Sequence, residues 1–140
     1  MTMKVGELQS ITITRPDDWH LHLRDGDKMG SIIGHSARQF GRAIIMPNLL
    51  IPVTTVARAR DYHNRICSAL FEQKLEKKFT PLMTLYLTDS TTPADIREAQ
   101  KSGLVYGVKY YPAGATTNSE NGVTNIELVY PALEEMQEQG

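Results

Sequence analysis

The 140 residues, 41% hydrophobic and 22% charged, suit one domain with a buried core and exclude an intrinsically disordered chain. Fifteen basic against sixteen acidic residues leave a net charge of −1, without the basic excess of a nucleic-acid-binding surface. The one cysteine, Cys67, excludes an intrachain disulfide and suits a reducing, cytoplasmic setting.

The N-terminal stretch through Trp19 lacks the uninterrupted apolar run of a secretory signal. A short leading strand is expected at Ile11–Ile13 and a second strand at Trp19–Leu23. Lys28–Phe40 has helical spacing, with Met29, Ile32, Ile33 and Ala37 on one face. Ala43–Met46 reads as a strand. The apolar stretch Ala43–Val53 is broken by Pro47, Asn48 and Pro52, so it is too short to span a bilayer. A long helix follows over Thr55–Lys78, with Val56, Ala59, Tyr62, Ile66, Ala69 and Leu70 on one face and Lys74, Lys77 and Lys78 at its end, where cations suit the helix dipole.

Leu82–Leu87 is the next strand. Thr92 as N-cap, Pro93 at the first position and Asp95 at the third open another helix, which Gly103 ends. Leu104–Tyr111 is the last strand. A final helix is expected from Thr124, with Glu127 completing a capping box and Ile126, Val129, Tyr130, Leu133 and Met136 on its apolar face. Pro131 predicts a kink or a late restart there.

Strands alternating with helices imply an α/β fold with a parallel sheet. A doubly wound sheet and a (β/α)8 barrel both remain open, although no GxGxxG follows the first strand. A barrel takes about 250 residues, so four β/α units make either half a barrel or a small open sheet.

The segment Arg15–Gly26, RPDDWHLHLRDG, is the most informative. In one strand, Asp18, His20, His22 and Arg24 share a face opposite to Trp19, Leu21 and Leu23. With helices covering the apolar face, the polar face points into a barrel or cleft, where imidazoles at i, i+2 can converge on one metal ion. The ordinary alternative is a half-buried strand with polar residues in solvent. Asn48, after Pro47, lies at the tip of the next strand, and a turn asparagine is the simpler reading. Lys109 near the end of an apolar strand is either an edge lysine in water or an inner-face amine able to form a carbamate with carbon dioxide. Ala113–Gly122 reads as a mobile loop, either a solvated linker or a lid bringing Thr116 and Thr117 over a ligand. His35 and His63 read as surface or packing residues and Cys67 as a small buried one. Asp17, Asp25 and Asp27 read as caps or turn formers.

PDDWHLHLRDGD, RAIIMPNL, FTPLMTLYLTD and VKYYPAGATTNSENGVT, in that order, resemble the N-terminal part of dihydroorotases of the stand-alone bacterial type, in the amidohydrolase superfamily. The resemblance runs from about Ile13 to the C-terminus and implies the N-terminal half of a (β/α)8 barrel, with residues 1–140 forming part of a single barrel domain. It implies that His20 and His22 are metal ligands and that Lys109 is carboxylated and bridges two zinc ions. Arg24, Asn48 and His22 would contact substrate, with Thr116 and Thr117 supplied by the loop. The implied reaction is the reversible cyclisation of N-carbamoyl-L-aspartate to L-dihydroorotate in pyrimidine biosynthesis. The remaining ligands and the general base would come from beyond Gly140, so this chain alone is expected to be inactive. The expected partners are the small-molecule substrate, a second copy in a full-length homodimer and the C-terminal half of the same protein, with no nucleic acid or membrane. The alternatives are a hydantoinase-like cyclic amidohydrolase and a non-catalytic dihydroorotase-like binding subunit.

Overall fold

The computed structural model describes residues 10–140; the reading of the N-terminal stretch therefore falls largely outside the described residues. Four strands, β1 (Asp18–Leu21), β2 (Arg42–Ile45), β3 (Thr80–Tyr86) and β4 (Val105–Lys109), form one parallel sheet in the order β1-β2-β3-β4. Between and after them run α1 (Asp27–Gln39), α2 (Val56–Glu72), α3 (Pro93–Lys101) and α4 (Tyr130–Gln139), the last preceded by a 3-10 turn at Ile126–Val129. A doubly wound sheet reverses its strand order at a switch point. The order here is monotonic, as in successive units of a barrel.

The helices pack on one face of the sheet. Ala43 and Ile45 of β2 and Met83 and Leu85 of β3 are buried in one cluster with Met29, Ile33 and Ala37 of α1, Ala59, Tyr62, Ile66 and Leu70 of α2, and Ala99 of α3. The opposite face carries the alternate residues. Leu82 registers with Ile44, Thr84 with Gly107, and Tyr86 with Lys109. From Pro81 to Tyr86 every β3 residue is buried, as befits a central strand of a parallel sheet. Among the described residues no helix is long and apolar enough to cross a membrane.

The expected leading strand at Ile11–Ile13 does not form; both isoleucines are exposed. Two isoleucines around a threonine cannot bury a face alone, and the segment is instead tied down by Arg15, whose guanidinium donates to Lys78 O (2.7 Å) and Ala37 O (2.6 Å). Helix α2 ends at Glu72, short of the lysine run. Lys74 adopts φ +56°, Leu75 N–H bonds Leu70 O and Lys74 N–H bonds Phe71 O, both at 2.9 Å. This is a Schellman stop with lysine where glycine is usual, and nothing in the residue pattern marks it.

Thr92 and Asp95 form the capping box of α3, and Gly103 follows its end at φ +62°. The capping box expected at Thr124 and Glu127 is absent. Thr124 bonds Asp89 through both its N–H (2.8 Å) and its hydroxyl (2.6 Å), leaving Asn125 to cap the 3-10 turn. Pro131 then sits in the first turn of α4, the late restart its ring requires. The shifted start changes the buried face: Val129, Ala132 and Glu135 are buried, whereas Ile126 and Tyr130 are exposed. Glu135 pairs with Arg97 of α3.

Candidate functional site at the C-terminal edge of the sheet

The chemistry-bearing residues gather where the strands end, the edge that carries function in (β/α)8 barrels. Strand β1 is shorter than expected and stops at Leu21. Its register slips between Asp18, opposite Ala43, and Leu21, opposite Ile45. The slip puts Asp18 out of phase with the histidines, so the expected four-residue polar face lacks it; its carboxylate accepts from His20 N–H at 2.9 Å instead. Trp19 is not covered either. It is 63% exposed on the sheet's edge strand, with the Arg42 guanidinium 5.9 Å from its ring centroid.

His20 and His22 do converge. Their Nε2 atoms are 3.1 Å apart, with ring centroids 5.0 Å apart. His22 titrates below the ordinary histidine range although solvent still reaches it. Partial desolvation is the main cause, and the positive charges of His20, Arg24 and Lys109 add to it. A neutral ring is the form that offers a lone pair to a metal. Among the described residues there is no cluster of three or more His, Cys, Asp or Glu side chains suited to a metal.

Arg24 borders a cleft of about 580 Å³ that also touches Leu49, Leu50 and Asn118. Next to it, Asn48 is 93% buried (7% exposed), its Oδ1 facing no partner. Its Nδ2 donates to Thr117 O at 3.3 Å, and its own carbonyl accepts from Asn118 Nδ2 at 3.4 Å. The loop after β4 is thus folded onto the tip of β2. Thr117 meets Asn48 through its backbone carbonyl, and the Thr116 and Thr117 side chains are exposed.

The loop is also built internally. Ala113 N–H bonds Val123 O (2.9 Å), Val123 N–H bonds Tyr111 O (3.0 Å), and the buried Ser119 hydroxyl accepts from Thr116 N–H (2.8 Å) while donating to Thr116 O (2.6 Å). Lys109 is half-buried at the end of β4, level with Tyr86; its Nζ lies 4.6 Å from the Tyr111 ring centroid. Tyr86 is fully buried, and its hydroxyl has no hydrogen-bond partner. Desolvation raises its pKa first, and the nearby Glu120 and Tyr111 raise it further.

Cys67 does have a neighbour. His63, one helical turn earlier, brings Nε2 to 3.6 Å from its sulfur. Burial pushes the thiol up and the imidazole down, so both stay neutral and the pair is no activated nucleophile. Two aspartates read as turn formers have cationic partners: Asp17 bonds Arg42 (2.5 Å) and Asp25 bonds Arg65 (2.8 Å). Helical spacing places Tyr62 in the core, and no motif singles out Arg65. Both reach the β1 tip, a contact that no local pattern announces across 39 and 40 residues.

No family model matches the chain. A dihydroorotase of Ralstonia nicotianae is 59% identical over 133 residues, covering 95% of this chain. The chain spans 38% of that relative's length. Among solved structures, the dihydroorotase of Campylobacter jejuni matches 89% of the chain and 36% of its own, with a TM-score of 0.79 and 39% identity. The Saccharomyces cerevisiae dihydroorotase, solved in complex with 5-fluoroorotic acid, matches 89% of the chain and 33% of its own, with a TM-score of 0.77 and 38% identity. An L-hydantoinase from Arthrobacter aurescens shares the fold at 16% identity, with a TM-score of 0.62. In sequence and in fold, this chain corresponds to the N-terminal part of the dihydroorotases.

Proposed function

We propose that the chain is the N-terminal half of a single dihydroorotase barrel and that its rim holds part of a zinc site and a carboxylate-binding site. The protein would interconvert N-carbamoyl-L-aspartate and L-dihydroorotate. The observation that carries the reading is the convergence of the His20 and His22 Nε2 atoms, 3.1 Å apart, on the edge that also bears Arg24, Asn48 and Lys109. Two ligands of one tetrahedral zinc ion at about 2.0–2.1 Å stand about 3.3 Å apart, so the donor pair fits such an ion. His20 and His22 would hold it, with Lys109, once carboxylated, offering oxygens to a second. Zinc, when bound, supplies Lewis acidity toward an amide carbonyl.

The chain's own residues then have separable tasks. Arg24 offers a planar fork to a substrate carboxylate. Asn48 adds an amide donor, once the Thr117 carbonyl gives it up. The loop over Asn48 limits water at the rim. The general base lies outside this chain, and proton transfer help is typically worth a hundredfold or more, so residues 1–140 alone are inactive. Overall identity favours dihydroorotase over the hydantoinase-like alternative: 59% to the Ralstonia nicotianae dihydroorotase against 16% to the Arthrobacter aurescens hydantoinase.

In a full-length protein carrying these residues, dihydroorotate hydrolysis and zinc content are the measurements. Arg24→Lys should raise KM by about ten- to a hundredfold, since a charged hydrogen bond contributes about 1.5–3 kcal/mol. Lys109→Ala should lose zinc, with partial recovery on adding short carboxylic acids. Wild-type KM in the first and wild-type zinc in the second would refute these roles.

A further inference from the structure

We infer that Tyr62 and Arg65 of α2 are positioning residues that set the aim of His22 and Arg24. What they aim at rests on the dihydroorotase reading; that they hold the tip of β1 does not. The last sheet bond on β1 is Met46 N–H to Leu21 O at 2.9 Å. His22 and Arg24 therefore lie past the strand, on backbone that no sheet ladder fixes.

Helix α2 supplies the missing hold at alternate residues. The fully buried Tyr62 donates its hydroxyl to Leu23 O at 2.8 Å. Burial raises the Tyr62 pKa, the nearby Asp25 charge adds to the rise and Arg65 opposes it, so the phenol stays a donor. One helical turn on, Arg65 grips both oxygens of Asp25, Nε at 2.9 Å and Nη2 at 2.8 Å. The Arg65 guanidinium also lies 5.6 Å from the Tyr62 ring centroid, so the two holds form one unit. Asp25 in turn accepts from Gly26 N–H at 2.9 Å, where φ of +66° turns the chain into α1. Leu23 and Asp25 are thus drawn toward α2, which leaves the residues that alternate with them, His22 and Arg24, for the rim.

The Asp25–Arg65 pair is partly exposed, with side-chain exposures of 35% and 47%. Such pairs add little to global stability, so a forked grip at this place acts through geometry. That separates a positioning role from a structural one.

The test uses a full-length protein carrying these residues, with Arg65→Gln, Asp25→Asn, the double variant, and Arg60→Gln as a charge-matched control on the same helix. Expected are a KM for dihydroorotate raised about tenfold in each single variant and no further in the double, weaker zinc retention on dialysis, and Tm within about 2 °C of wild type. Arg65→Lys, which keeps the charge without the fork, should restore only part of the KM. Wild-type KM and zinc retention in both single variants, or fully additive effects in the double, would overturn the inference. Asp25→Asn is nearly isosteric, so it keeps the test open should Arg65→Gln fold poorly. If the wild-type protein does not turn over dihydroorotate, the functional reading fails. Amide exchange at Arg24–Gly26 then decides the positioning role alone: faster in both single variants supports it, and exchange equal to Arg60→Gln contradicts it.

Discussion

Two strand tips meet at the candidate site and are held in opposite ways. The tip of β1 has little structure of its own and is fixed by side chains from a helix about 40 residues away. The loop after β4 is fixed by its own backbone, through a ladder between Tyr111–Ala113 and Val123 and a turn closed by the buried Ser119. The first arrangement sets where two side chains point, and the second sets the shape of a cover. Damage to the first should alter what the site binds; damage to the second should alter whether the cover persists.

The largest effect on stability is expected where the loop has no room. A Cβ on Gly122 would stand 2.5 Å from Tyr111 O and 3.0 Å from both Ala113 N and Ser119 O, all of them backbone atoms. Gly122→Ala should cost about 3 kcal/mol, at the upper end of overpacking penalties, read as a lower urea midpoint. Next is Tyr62→Phe, which leaves the buried Leu23 carbonyl without its donor and should cost about 1–3 kcal/mol. An unchanged midpoint would show that water replaces the hydroxyl. Ser119→Ala removes two bonds to Thr116 and should cost about 1–2 kcal/mol, with faster amide exchange confined to the loop.

The smallest stability effect belongs to the Asp25–Arg65 pair, and it carries a pH signature. Burial alone would raise the Asp25 pKa, but the Arg65 fork and the Gly26 N–H outweigh it and hold the carboxyl below 3.8. A depressed folded value means that the contribution is present above about pH 3.8 and lost as pH falls through the lower folded value. Arg65→Gln should therefore cost under about 1 kcal/mol at neutral pH, with the gap from wild type closing in acid. A gap that widened in acid would contradict the sign.

The apolar runs of β2 and β3, the buried face of α2 and the cap of α3 were legible in the residues, because each follows from local hydrophobicity, local periodicity or local hydrogen bonding. The tip of β1 was legible only in part. His20 and His22 share a side as spacing predicts, but the slip that removes Asp18 depends on pairing with β2. The stop of α2 at Glu72, two residues before the left-handed Lys74, and the false start at Thr124 escaped for a similar reason. In one a lysine adopts a glycine-like conformation, and in the other Asp89 competes for the capping side chain. The Tyr62 and Arg65 grip is purely tertiary. A core tyrosine and a helix-surface arginine acquire their roles only when α2 crosses the end of β1.

The central claim is that this rim is the N-terminal share of a dihydroorotase site. The most direct test combines residues 1–140 with the C-terminal remainder of a homologous dihydroorotase, supplies zinc and bicarbonate, and follows dihydroorotate hydrolysis. The account predicts turnover by the combined barrel, none by residues 1–140 alone and none by the barrel carrying His22→Ala. Robust turnover by residues 1–140 alone, or wild-type turnover with His22→Ala, would contradict it.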